Sequence, residues 1–201
     1  MTFDGEFAHT TAAGEIASMS GFVPVKHKGI AVLGSHPATV AMTPFNDDWL
    51  VFTCSPHNVE KRQLPRFDEW FEIHKPAPHP TRGPQYIEAI KTFPLVWMRD
   101  TEFMPNVPGA RLYPETEMKA KFSPFHFTSS IAFIMAKAIT DIEEGRAEKQ
   151  IGLFGIMQAS ANEYAYQRPG VQYFIWEAVR RGIKVVAPDV SKLFEPPPED
   201  F

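Results

Sequence analysis

The sequence predicts a three-layer α/β sandwich, with a mainly parallel sheet covered by helices on both faces. Three observations predict it. Short, almost wholly apolar runs such as Lys28–Gly34 (KGIAVLG) and Ile151–Ile156 (IGLFGI) read as strands buried on both sides. Helical periodicities separate them, and from residue 128 to 187 the order is helix, strand, helix, strand. Over 201 residues, 44% hydrophobic and 22% charged content suits one full core.

The elements follow in order. Lys28–Gly34 is the first strand and Trp49–Thr53 (WLVFT) the second. Phe67–His74 (FDEWFEIH) is aromatic and partly alternating, which predicts a third strand ending at His74. Leu95–Met98, Ile151–Ile156 and Ile183–Ala187 make the fourth, fifth and sixth. Helices are expected at Gln85–Thr92, Thr128–Ile142, Gly170–Arg181 and, briefly, Asp189–Phe194. The long helix has Thr128 or Ser129 as N-cap, with Ile131, Ile134, Met135, Ala138 and Ile139 on its apolar face. Pro169 before and Gly182 after the next helix supply its start and stop. The whole is a Rossmann-like sandwich over residues 23–194, with an arm at 1–22 and a tail at 195–201. Right-handed crossovers place the loops after the strands on one edge of the sheet, where open α/β sheets bind ligands.

Composition excludes several function classes. The net charge of −4 gives no electrostatic case for nucleic acid. Arg180, Arg181 and Lys184 read as a solvated helix end. The single cysteine, Cys54, rules out an intrachain disulfide and a cysteine-built zinc site. His74 and His79 bracket Pro76 and Pro78, so they do not share a helical face, and no metal site is expected. No apolar run reaches the roughly 18–20 residues of a membrane span, and the first 20 residues lack a signal pattern. The expected compartment is the cytoplasm. GxGxxG, P-loop, GxSxG, HExxH and kinase motifs are all missing.

Candidate site residues cluster after the strands. Gly34, Ser35 and His36 form a small-residue turn that lets backbone approach a phosphate. Thr128, Ser129 and Ser130 open the long helix with three hydroxyls beside unpaired amides and the positive end of the dipole. His74 is a strand-end imidazole suited to general-base work, and His57 a weaker candidate. The richest segment is Glu163-Tyr164-Ala165-Tyr166-Gln167-Arg168-Pro169. There Arg168 suits a phosphate or carboxylate, Glu163 a ribose hydroxyl or a base role, and Tyr164 or Tyr166 a stacked base, with Gln167 beside them.

The stretches IAVLGSHPAT, LPRFDEWFEIH, FTSSIAFIMAKAI and IGLFGIMQASANEYAYQRPGVQYFIWEAVRRGIKV resemble a family of small uncharacterised phage and prophage proteins. The likeness spans about residues 29–193, and EYxYQRP (Glu163–Pro169) is its most specific motif. More loosely, the motif order is similar to bacterial sialyltransferases and to pterin pyrophosphokinase-like proteins. Their GxGPSL turn corresponds to Gly34-Ser35-His36-Pro37-Ala38-Thr39, with His36 at the second glycine. Their glycine-aspartate pair corresponds to Gly155-Ile156-Met157, with Met157 at the aspartate. The resemblance implies a nucleotide-type ligand near 34–37 and 128–130, and a host-cell cytoplasmic setting if phage-encoded.

Three functions are therefore expected in turn. The first is a nucleotide- or nucleotide-sugar-dependent transferase, glycosyltransferase-like, with His74, Glu163 and Arg168 at the reacting group. The second is a non-catalytic nucleotide-binding or protein-docking module, virion-associated or anti-defence, with Trp49, Phe67, Trp70, Phe71 and Trp97 as interface aromatics. The third is a nucleotide or glycosidic-bond hydrolase with Glu163 and Asp68 as paired carboxylates. An oligomer or a protein partner is compatible with each.

Overall fold

The computed structural model describes residues 26–60, 64–74, 83–158 and 163–194; the side chains at 60, 163, 164 and 192 lie outside it. So do the expected arm at 1–22 and tail at 195–201. Seven strands form one sheet: β1 (Gly29–Leu33), β2 (Trp49–Thr53), β3 (Glu69–Glu72), β4 (Val96–Met98), β5 (Ala110–Leu112), β6 (Gln150–Phe154) and β7 (Lys184–Val186). Their order is β5-β4-β3-β2-β1-β6-β7, and every ladder is parallel. The order reverses between β1 and β6, so the ends of those strands flank a topological switch point.

The helices are α1 (Pro37–Val40), α2 (Pro56–Glu60), α3 (Pro84–Ile90), α4 (Glu115–Lys121), α5 (Ser130–Glu143) and α6 (Arg168–Arg180). Period-two alternation divides the strands between two layers. Ile30, Val32, Leu50, Phe52, Phe71, Ile151 and Leu153 pack on the side of α4, α5 and α6. Ala31, Leu33 and Val51 face Val40 of α1, and Trp70, Val96 and Met98 face Tyr86 and Ile90 of α3. Both sheet faces are thus covered, which is why the strands read as continuous apolar runs rather than alternating ones.

Several expectations change. The edge strand β5 and helices α1, α2 and α4 were not expected. The expected helix at 189–194 is a 3₁₀ turn at Lys192–Phe194. Helix α5 is capped by Ser129, whose hydroxyl accepts from the Ala132 amide at 3.3 Å. It has no solvated face over most of its length: Ile131 to Ile142 are all buried, including Lys137 and Asp141. The sheet on one side, and α4 and α6 around it, account for that. The interface candidates, most of which the sequence already assigns to the core, lie there: Trp70 and Phe71 are buried, while Trp49, Phe67 and Trp97 are partly buried and pack against the clusters. Arg180 pairs with Glu177, and Arg181 with Glu143 and Glu177, so that helix end is charge-compensated.

Candidate functional site

The carboxyl ends of β1, β2, β3 and β6, with the start of α5, enclose an open cleft of about 580 Å³. Gly34, Ser35 and His36 line it from β1, Cys54, Ser55 and His57 from β2, and His74 from β3. Gly155, Met157 and Gln158 close it from β6, Thr128, Ser129 and Ser130 from α5, and Gln167 from the segment before α6.

The floor is built by close backbone approach. A Cβ on Gly34 would lie 2.4 Å from the Gly155 carbonyl oxygen, and one on Gly155 (φ +63°) 2.8 Å from that of Gly34. The two loops are laced together: the Gly34 amide donates to Phe154 O at 2.8 Å and the His36 amide to Gly155 O at 2.7 Å. The Gly155 amide donates to the Thr39 hydroxyl at 2.7 Å. Gly34 therefore serves loop-to-loop contact, and its amide is committed within the protein rather than offered to a phosphate. His36 caps α1, its Nδ1 accepting from the Ala38 amide at 3.3 Å. Buried Asn58 ties β1 to β2, donating to Gly34 O and Cys54 O at 2.9 Å each.

At α5 the three hydroxyls have three separate partners. Thr128 donates to Gln167 O at 3.3 Å, Ser129 caps the helix, and Ser130 Oγ lies 3.3 Å from His74 Nε2. The amides of Ser130 and Ile131 find no acceptor among the described residues. No acidic side chain occupies the first turn. These amides and the 14-residue helix dipole leave concentrated positive potential facing the cleft.

Two wall residues hold left-handed backbone without being glycine: Ser55 at φ 87° and Gln158 at φ 49°. Such conformations cost about 1–3 kcal/mol and persist where the surroundings impose them. Sequence reasoning missed both, and missed Asn58. The Ser-Pro dipeptide and the asparagine in the turn after β2 are the signal that could have found Ser55 and Asn58. Cys54 reaches the wall as a buried thiol whose pKa is pushed up to about 12, by burial first and the Glu72 charge second. It is no thiolate nucleophile at neutral pH.

The segment Glu163–Gln167 is a π-helical turn running into α6, a geometry frequent at functional sites. Among the described side chains of that motif, Gln167 alone lines the cleft. Tyr166 is 70% exposed, and the side chains of Glu163 and Tyr164 lie outside the described residues. Arg168 is 2% exposed and does not reach the cleft surface as a candidate catalytic residue should. Asp68 precedes β3 at the opposite edge of the sheet, bonded to the Val51 amide and Arg66 at 2.7 Å. Both oxygens of Asp68 are thus committed at the amino edge, away from the cleft. Among the described residues no group of histidine, cysteine, aspartate or glutamate could hold a metal, and no helix is long and apolar enough to cross a membrane.

No protein-family model and no curated protein sequence matches the chain. The fold is similar to that of the sialyltransferase CstII from Campylobacter jejuni. The structure in complex with the substrate analogue cytidine-5'-monophosphate aligns at a TM-score of 0.50 and 15% identity, over 80% of this chain and 79% of that one. The one in complex with CMP-3FNeuAc gives 0.49 and 16%, over 80% of each. At this identity the likeness establishes the α/β fold.

Proposed function

We propose that the chain is a nucleotide- or nucleotide-sugar-dependent transferase of the glycosyltransferase kind. One observation carries the reading. The unpaired amides opening α5, and a histidine bonded to Ser130, converge in a single cleft at the switch point of a parallel sheet. A phosphate seated on the Ser130 and Ile131 amides brings the group attached to it within reach of His74. With its ring proton on Nδ1, His74 offers Nε2 as a base. In this reading Gln167 bonds the nucleoside, Tyr166 stacks on its base, and buried Arg168 positions the π-turn. Ser35 and His36 complete the opposite wall. The fold agrees with this reading, since a protein of similar fold is a sialyltransferase studied with cytidine-5'-monophosphate.

A thermal-shift panel of nucleoside mono- and diphosphates and their sugar conjugates tests it. A true ligand at a hundred times its Kd should raise the Tm by about 5–10 °C in a chain of this size. Ser130→Asp separates binding from folding. A carboxylate in the first turn suits the dipole, adding about 0.3–1 kcal/mol of stability, yet it repels phosphate. The ligand-induced rise should vanish while the unliganded Tm holds. A panel with no response, or a response intact in Ser130→Asp, overturns the proposal.

A further inference from the structure

A second hollow of about 340 Å³ adjoins the cleft, lined by Ile73, His74, Arg99, Asp100 and Glu115. His74 borders both. Beyond it, a third hollow of about 440 Å³ shares Arg99 and Glu115 and continues past Leu112 to Glu117. Arg99 and Asp100 directly follow β4, and Glu115 follows β5. The three hollows therefore form one trough along the carboxyl edge of the sheet, with His74 at the junction.

The chemistry of this trough differs from that of the cleft. Arg99 bonds Glu115 through both Nε and Nη2, and its guanidinium lies 5.0 Å from the centre of the Phe133 ring. Lys119 also pairs with Glu115, at 2.5 Å. Asp100 turns one oxygen, Oδ1, onto the amides of Glu102 and Phe103 at 3.0 and 3.3 Å. Arg99 and Lys119 thus both stand against Glu115, while Asp100 is fixed by backbone amides. An anionic guest would meet the carboxylates and a cationic one Arg99. A neutral molecule with many hydroxyls satisfies both, because each hydroxyl donates to a carboxylate and accepts from a guanidinium.

We propose that this trough binds a neutral oligosaccharide as the acceptor, with one hydroxyl presented to His74; the inference rests on the transferase reading of the cleft. The acceptor oxygen forms a bond to the anomeric carbon of the activated sugar. The bond from that carbon to the phosphate oxygen breaks, and its electron pair leaves with the nucleotide. The hydroxyl proton passes to His74 Nε2 and then to water. Two adjoining hollows, rather than one, favour an acceptor of more than one sugar unit.

The test titrates ¹⁵N-labelled protein with lactose, maltotriose or chitotriose, and separately with CMP and UMP. Saccharide should shift the Arg99 side-chain Nε–H resonance, whereas nucleotide should shift the Ser130 and Ile131 amides. Asp100→Asn keeps the Oδ1 acceptor that holds the turn but removes the charge, and should weaken saccharide binding at least tenfold. Nucleotide binding with no saccharide response at Arg99, or equal saccharide affinity in Asp100→Asn, overturns the acceptor trough. Saccharide binding at Arg99 with no nucleotide response supports the trough and overturns the nucleotide reading of the cleft.

Discussion

The two edges of the sheet use polar residues in opposite ways. At the amino edge, Glu69 opens β3, Asp141 lies near the end of α5, and Arg146 precedes β6. Arg146 bridges Glu69 at 2.7 Å and Asp141 at 2.6 Å, Lys137 also pairs with Asp141, and Trp97 donates to Glu69 at 2.6 Å. Glu69 and Asp141 are fully buried. Each of these four charges is answered by another within the protein. At the carboxyl edge two helix amides with no acceptor among the described residues face open space, beside two strained backbones. Closed networks specify and hold a core, whereas unpaired donors around a cavity are what a ligand completes.

The largest effect should come from breaking the closed edge. Asp141→Ala leaves Lys137 buried without its carboxylate and removes one of the two partners of Arg146. Uncompensated buried charge costs about 3–5 kcal/mol, and the partial exposure of Arg146 places this case near the lower figure. Urea denaturation should show a loss of that size in the unfolding free energy. A loss under about 1 kcal/mol would mean the amino-edge network is not holding the fold.

Relief of strain on the open edge should have the opposite sign. Ser55 holds φ 87° on the cleft wall. Ser55→Gly removes a left-handed penalty of about 1–2 kcal/mol and adds back about 0.5–1 kcal/mol of glycine entropy. The net expectation is about 0.5–1 kcal/mol of added stability, read in the same urea titration. A destabilised Ser55→Gly would show that the serine side chain, not the backbone shape, is what the wall needs.

How far the sequence reveals each edge follows from the same contrast. The strands β1, β2 and β6 are legible because burial on both faces makes GIAVL, WLVFT and QIGLF continuously apolar. Strand β5 is not: its residues Ala110, Arg111 and Leu112 are half-buried to exposed at the sheet edge, so burial writes no pattern into them. Helix α4 hides between prolines at 114 and 124. The cleft residues Gly34, His36, His74, Ser129 and Ser130 could be named because strand ends and helix starts locate the ligand edge. Arg168 was placed there for its chemistry, and it is buried instead, because a local motif carries no information about which way a guanidinium turns. The amino-edge network pairs residues far apart in sequence, such as Glu69 with Arg146, and no local pattern announces such a contact.

The smallest effect tests the trough between these extremes. Glu115 is partly exposed, and burial pushes its pKa up. Hydrogen bonds and charge from Arg99 and Lys119 outweigh that and hold the carboxyl below its ordinary value of 4.5. The folded state therefore binds its proton less readily than the unfolded chain does. The stability it contributes is complete above about pH 4.5 and is lost as pH falls through the lower folded value. Because the pair is solvated on one side, the contribution should stay under about 1 kcal/mol. Glu115→Gln should lower stability above about pH 5 by that amount, leave it unchanged at the acid end, and so flatten the acid limb of the profile. A full-sized acid limb in Glu115→Gln would assign the loss to the amino-edge carboxylates, and would leave Arg99 in the trough without the anchor that fixes its orientation.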